Sequence, residues 1–149
     1  MSKPRLRAAK SADLPFVENC ARAAYAPYVP RIGREPAPMV ADFAVHLANG
    51  ELCIVEAGDP VGYSVHRIEG DALFIENIAI MPDLQGSGVG RAIFDLLEAE
   101  AREAGASQLR LYTNVMMAEA LAFYERLGFF VTDKRIEDGF HRVYLAKNV

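Results

Sequence analysis

Seven consecutive residues, Gln85-Gly86-Ser87-Gly88-Val89-Gly90-Arg91, set three alternating glycines and an arginine at the head of an amphipathic run. Glycine lets main chain approach a ligand closely, and the first amides of a helix have no intrahelical acceptors, so such a stretch can donate several N–H groups to an anion. The helix dipole adds about 0.3–1 kcal/mol for each negative charge nearby. A pyrophosphate is the natural occupant. A Walker loop would end in Gly-Lys-Ser/Thr, whereas Gly88 is followed by Val89-Gly90-Arg91. A dinucleotide fingerprint needs GxGxxG directly after the first strand with an acid about 20 residues on. Here the pattern is GxGxG, and the next strand ends Tyr112-Thr113-Asn114. The competing reading is a glycine turn that only permits tight packing.

Other polar side chains stand out by their surroundings. Glu76 and Asn77 interrupt the apolar stretch from Ala72 to Met81. Tyr124 shares a helical stripe with Met117, Leu121 and Leu127, and on its own reads as a core tyrosine with a satisfied hydroxyl. His46 falls on a helix surface, and His66 and His141 fall on strands, where packing or exposure explains them. Cys20 and Cys53 lie 33 positions apart with no CxxC or Cys/His cluster, the pattern of two buried reduced thiols rather than a disulfide or zinc site. No metal is expected.

The elements that must position these groups follow from periodicity. Pro4 to Ala9 reads as a strand; Ser11-Ala12-Asp13 offers a helix start for Leu14, Val17, Ala21 and Ala24. Tyr25 to Met39 holds four prolines, which forbid a continuous helix, and Val40, Phe43, Ala44 and Leu47 then resume a helical period. Strands over 51–57, 61–68 and 72–80, separated by Gly-containing turns, form an antiparallel meander. The third is apolar on both faces and is expected to be covered on both. Val89, Ile93, Leu96, Leu97, Ala101 and Ala104 make the inner stripe of a helix closed by Gly105, with Asp95, Glu98, Arg102 and Glu103 outside. Strand 108–113 follows, parallel to 72–80 across the helical crossover. A helix over 117–127 and a closing hairpin, 129–136 and 140–146, complete one α/β domain over 1–149, with about seven strands and about four helices.

With 149 residues, 52% of them apolar, the chain can bury an ordinary core. No run approaches the roughly 20 apolar residues of a membrane span, and the basic first residues lead into no signal segment, so a cytoplasmic location is expected. Twenty acidic against sixteen basic side chains, with no long Lys/Arg tract, argue against nucleic acid as a partner. Exposed strand edges allow a homodimer.

Ile78 to Gly90, IAIMPDLQGSGVG, resembles the acyl-CoA signature Q/R-x-x-G-x-G/A of the GNAT N-acetyltransferase superfamily, and Ala120 to Phe129, ALAFYERLGF, resembles its C-terminal motif ending Y-x-x-x-G-F. With the element order, the resemblance covers nearly the whole chain. It implies a mixed, mostly antiparallel sheet splayed by a bulge between the strands at 72–80 and 108–113. A pantetheine arm is expected to pair with main chain at Ile78, Ala79 and Ile80, and its pyrophosphate to sit on Gln85, Gly86, Ser87, Gly88, Val89, Gly90 and Arg91. Tyr124 matches the family's general-acid tyrosine. Many members carry an Asn seven residues before that tyrosine, where this chain has Met117, and Asn114 is the expected substitute in contacting the cofactor.

The implied reaction moves acetyl from acetyl-CoA to a primary amine of a small molecule or peptide by direct attack. A lysine-like amine has a pKa of about 10.4, so about one molecule in 10³ is neutral at pH 7 and a base or water relay is required. Glu76 is the candidate base; the alternative is a carboxylate paired with an Arg or Lys. Some relatives place a glutamate near the end of the strand at 108–113, where this chain has Tyr112. Tyr28, Arg31 and Arg34, with Tyr25, are candidate acceptor contacts, a cationic and aromatic rim for a carboxylate-bearing amine; a solvated loop is the other reading. Two further classes remain: a non-catalytic acyl-CoA-binding or regulatory module, and a nucleotide-binding module.

Overall fold

Alternation of apolar residues produces seven strands, and the computed structural model, which describes residues 3–149, arranges them in one sheet of order β1-β2-β3-β4-β5-β7-β6. The strands are β1 (Arg5–Ala8), β2 (Leu52–Ala57), β3 (Asp59–Glu69), β4 (Ala72–Ile80), β5 (Gln108–Asn114), β6 (Phe130–Glu137) and β7 (Phe140–Asn148). Helices are α1 (Leu14–Tyr25), the single turn α2 (Val29–Ile32), α3 (Phe43–Ala48), α4 (Val89–Glu103) and α5 (Ala118–Leu127). β1–β2, β2–β3, β5–β7 and β6–β7 pair antiparallel, and β4–β5 pairs parallel, as a crossover through a helix requires. The expected elements are all present, most with ends shifted by one or two residues.

The prolines after Tyr25 break the chain into short turns rather than an open loop. Pro27 sits in a 3₁₀ turn and Pro30 in α2, which ends at Gly33 with φ +87°, the left-handed conformation glycine adopts without strain. Asp42 then caps α3, its Oδ1 accepting from the Val45 amide at 3.3 Å.

Two compact units make up the chain, one comprising residues up to His66 with Asn77–Leu96, the other Arg67–Glu76 with Leu97–Val149. In the first, Val17, Cys20 and Ala21 of α1 and Phe43 of α3 pack with Ile54, Tyr63, Val65 and Ala79 of the strands. Phe43 meets Tyr63 edge-on at 5.2 Å. Burial pushes the Cys20 thiol up to about 12, while Cys53 is half-buried rather than buried, and neither joins a disulfide. Arg7 ties β1 to the start of the helical region through a two-pronged pair with Asp13 (2.8 and 2.9 Å) and a contact with Glu56 (3.0 Å).

In the second unit the register sets Leu73 against Leu109 and Ile75 against Leu111, and Leu111 against Leu145, so these buried side chains share one face. Glu98 departs from its expected place on the outer side of α4: it is buried, held by Lys147 at 3.1 Å and Arg102 at 3.6 Å. A carboxylate can leave water when two cations compensate it.

β4 is not covered on both faces. Leu73, Ile75, Asn77 and Ala79 are buried, whereas Phe74, Glu76, Ile78 and Ile80 are half-buried. The strand sealed on both faces is β3, where Val61 through His66 are all buried. Apolar alternates on both sides of β4 therefore mark a face left partly open.

Candidate functional site

The glycine loop lies in the first unit. A 3₁₀ turn over Pro82–Leu84 closes β4, the Ser87 amide and hydroxyl both donate to the Leu84 carbonyl, and α4 begins at Val89 with the Ala92 amide bonded to the Gly88 carbonyl. Gly86 and Gly88 adopt φ of +83° and +92°, where L side chains are strained, and a Cβ at either would meet nothing within 4 Å. The loop stands open, with Gln85 through Gly88 and Arg91 exposed and Val89 turned into the core. Open amides at a helix start, on backbone that excludes side chains, suit an oxygen-rich anion.

The second half of β4 leads into this loop and is held closely. The Met81 amide donates to Val61 O at 2.9 Å, and a Cβ on Gly62 would lie 2.4 Å from Ala79 O and 3.2 Å from the Ile80 Cα. Tyr63, fully buried, donates to Asn77 Oδ1 at 2.7 Å, and burial holds its phenol well above the ordinary value. Tyr25 donates to the Ile78 carbonyl at 2.7 Å. Tyr25 was expected on an outer rim with Tyr28, Arg31 and Arg34; it turns to the sheet instead, because the helical period of α1 continues through it. Arg31 lies over the Tyr28 ring at 5.3 Å, and Arg31 and Arg34 are exposed. Gly62, Tyr63 and Asn77 were not singled out in the sequence as supports; a glycine inside an apolar strand was the available signal for close backbone approach.

Glu76 and Tyr124 lie in the second unit. Glu76 Oε1 accepts from Arg67 Nη1 at 2.8 Å, and Arg67 also holds Glu69 at 2.6 Å and covers the Phe74 ring at 5.2 Å. Glu76 is thus an ion-paired carboxylate on the half-open face. Along that face Phe74 stacks on Tyr112 (6.1 Å, 29°), Tyr112 meets Tyr144 at 5.5 Å, and Arg142 covers Tyr112 at 4.5 Å. Burial raises the Tyr112 phenol above its ordinary value and keeps it neutral near pH 7. Tyr144 donates to Glu137.

Tyr124 is half-buried on α5, edge-on to Phe129 at 5.7 Å, and its carbonyl accepts the Phe129 amide at 3.0 Å. Gly128, with φ +103°, ends the helix, so the Y-x-x-x-G-F pattern is a helix terminus that fixes the tyrosine ring against the aromatic after the turn. Asn114 Oδ1 accepts the Met116 amide at 2.9 Å, ordering the link from β5 to α5. His66 is buried with Nδ1 2.9 Å from Ser64 Oγ, and His46 Nδ1 is 3.1 Å from Glu51.

A mixed sheet whose fourth strand runs through a glycine loop into a helix defines an α/β protein with a helix start open to an anion. Residues 17–129 match the model of the Acetyltransferase (GNAT) family, and the chain belongs to that family. It is 33% identical over 76 residues to the [ribosomal protein bS18]-alanine N-acetyltransferase of Escherichia coli, a match covering 51% of each chain. It is 30% identical over 92 residues to an aminoglycoside N(6′)-acetyltransferase of Stenotrophomonas maltophilia, covering 56% of this chain and 60% of that one. The aligned part thus spans about half the length of the curated relatives it matches first.

Among solved structures, the PaiA N-acetyltransferase of Thermoplasma acidophilum in complex with coenzyme A superposes with a TM-score of 0.80 at 17% identity, all of both chains covered. The E. coli ribosomal-protein-S18-alanine N-acetyltransferase does so with 0.75 at 24%, covering 98% of this chain and 94% of that one. These two likenesses are of fold.

Proposed function

We propose that residues 1–149 act as one acetyltransferase domain that moves an acetyl group from acetyl-CoA to a primary amine of a small molecule or peptide, by direct attack within a ternary complex. The observation that carries this reading is the open glycine loop, Gln85 to Arg91, which leads from β4 into α4 in a chain of the GNAT family.

In this reading the loop from Gln85 to Arg91 holds the pyrophosphate of the acyl donor, through the amides of Gly86 and of Gly88 to Arg91 while the Ser87 amide stays on the Leu84 carbonyl, and the segment Ile78-Ala79-Ile80 receives its pantetheine arm through the main chain of Ile78 and Ile80. Asn114 adds a further contact. The Ile78 amide donates to the negative charge that develops on the thioester oxygen, and a fixed donor of this kind costs no reorganisation during reaction. Glu76 takes the proton of the ammonium through water, its carboxylate held in place by Arg67 at 2.8 Å. Tyr124 gives a proton to the departing thiolate. Tyr28, Arg31 and Arg34 contact the acceptor.

The test is release of free coenzyme A thiol from acetyl-CoA across a panel of small-molecule and peptide amines. Release that depends on the amine is the expected result. Tight acetyl-CoA binding with no turnover on any amine would refute catalysis and leave a binding module.

A further inference from the structure

β4 changes character at Asn77. The Ala79 carbonyl crowds Gly62 and the Met81 amide bonds to Val61, so residues 79 and 81 turn their main-chain groups toward β3. Because these groups alternate along a strand, Ile78 and Ile80 turn theirs to the opposite side. Tyr25 reaches the Ile78 carbonyl on that side, across 53 positions of sequence, at 2.7 Å. Its helix is rooted in the core by Val17, Cys20 and Ala21, so the hydroxyl is presented from a rigid support. One residue earlier, Tyr63 holds the Asn77 side chain at 2.7 Å. Two tyrosines therefore fix consecutive residues of the segment that, in the proposed function, receives the acyl donor's amides.

We propose that Tyr25 is a positioning residue for the acyl donor: its hydroxyl occupies one acceptor site of the Ile78 carbonyl and aims the other at an amide N–H of the pantetheine arm. A carbonyl oxygen has two such sites, so the tyrosine and the ligand share it. The inference rests on the acyl-CoA reading and adds to it a residue outside the glycine loop and outside the C-terminal motif.

Tyr25→Phe removes only the hydroxyl. Calorimetric affinity is measured for acetyl-CoA and for the phosphoadenosine diphosphate half of coenzyme A, which lacks pantetheine. The variant is expected to bind acetyl-CoA about 5- to 10-fold more weakly, the worth of one hydrogen bond, and to bind the nucleotide half as the wild type does. The KM for acetyl-CoA rises by the same factor. Unchanged acetyl-CoA affinity overturns the inference while leaving the acyltransferase reading intact. Equal weakening for both ligands also overturns it, since a general structural defect acts on both. A wild-type protein that binds neither ligand removes the acyl-CoA reading, and this inference with it.

Discussion

Gly62→Ala tests how tightly the functional half of β4 is packed. The position does not need glycine for its backbone angles; it needs glycine for space, because a Cβ would sit 2.4 Å from Ala79 O and 3.2 Å from the Ile80 Cα. Ordinary contact begins near 3.4 Å, so main chain must retreat by about 1 Å, and the obstructing atoms are backbone that no side-chain rotation can move. β3 is sealed on both faces, which blocks the easy direction of retreat. Overpacking of this kind costs about 1–3 kcal/mol, and backbone against backbone belongs at the upper end. Alanine returns about 0.4–1 kcal/mol by restricting the unfolded chain, which leaves a net loss of about 2 kcal/mol. For a chain of this size that lowers Tm by about 4–8 °C. Thermal and urea unfolding of the variant supply the measurement, with acetyl-CoA affinity read in parallel because Ala79 and Ile80 must shift. A variant as stable as the wild type, with unaltered affinity, would show that β3 and β4 have slack here and would refute the packing argument.

Three further outcomes follow from the described contacts. Tyr124→Phe lowers kcat by about 10²–10⁴ with little change in acetyl-CoA affinity, and steady-state kinetics beside a binding isotherm checks it; an unaltered kcat removes the acid role. The Arg7 guanidinium lowers the Asp13 carboxyl from 3.8 to about 2, so the pair contributes stability that is complete above pH 4 and is lost as pH falls toward 2. Asp13→Asn should accordingly cost about 1 kcal/mol at pH 7, after allowance for solvent screening, and almost nothing at pH 2; equal cost at both would contradict the pairing. Arg31→Ala and Arg34→Ala raise acceptor KM and leave acetyl-CoA KM alone, and an unmoved acceptor KM disposes of the rim.

What was readable from the sequence is what depends on neighbours along the chain. The glycine loop, the end of α4, the Gly128 stop and the hairpin turns are backbone requirements that residue types announce locally. Strand positions followed from alternation for the same reason. Long-range partners were not readable. Glu98 looked like an outer-face acid until Lys147, 49 residues on, proved to meet it, and Glu76 had an unspecified cation until the strands brought Arg67 alongside. The half-open face of β4 escaped detection because Phe74, Ile78 and Ile80 are apolar whether they meet protein or a ligand's carbon chain. The bond from Tyr25 to the Ile78 carbonyl was equally unreadable, since 53 positions of sequence separate the two.

The boundary between the two units runs through the middle of β4, and that has a consequence for the newborn chain. Once Leu96 has emerged from the ribosome, every residue of the first unit has been made. Leu73 and Ile75 belong to the other unit, and the strand they pair with begins only at Gln108. Until that strand is made, Leu73 and Ile75 lack Leu109 and Leu111, their partners in the finished sheet. Slowing translation across codons 97 to 107 would prolong that interval.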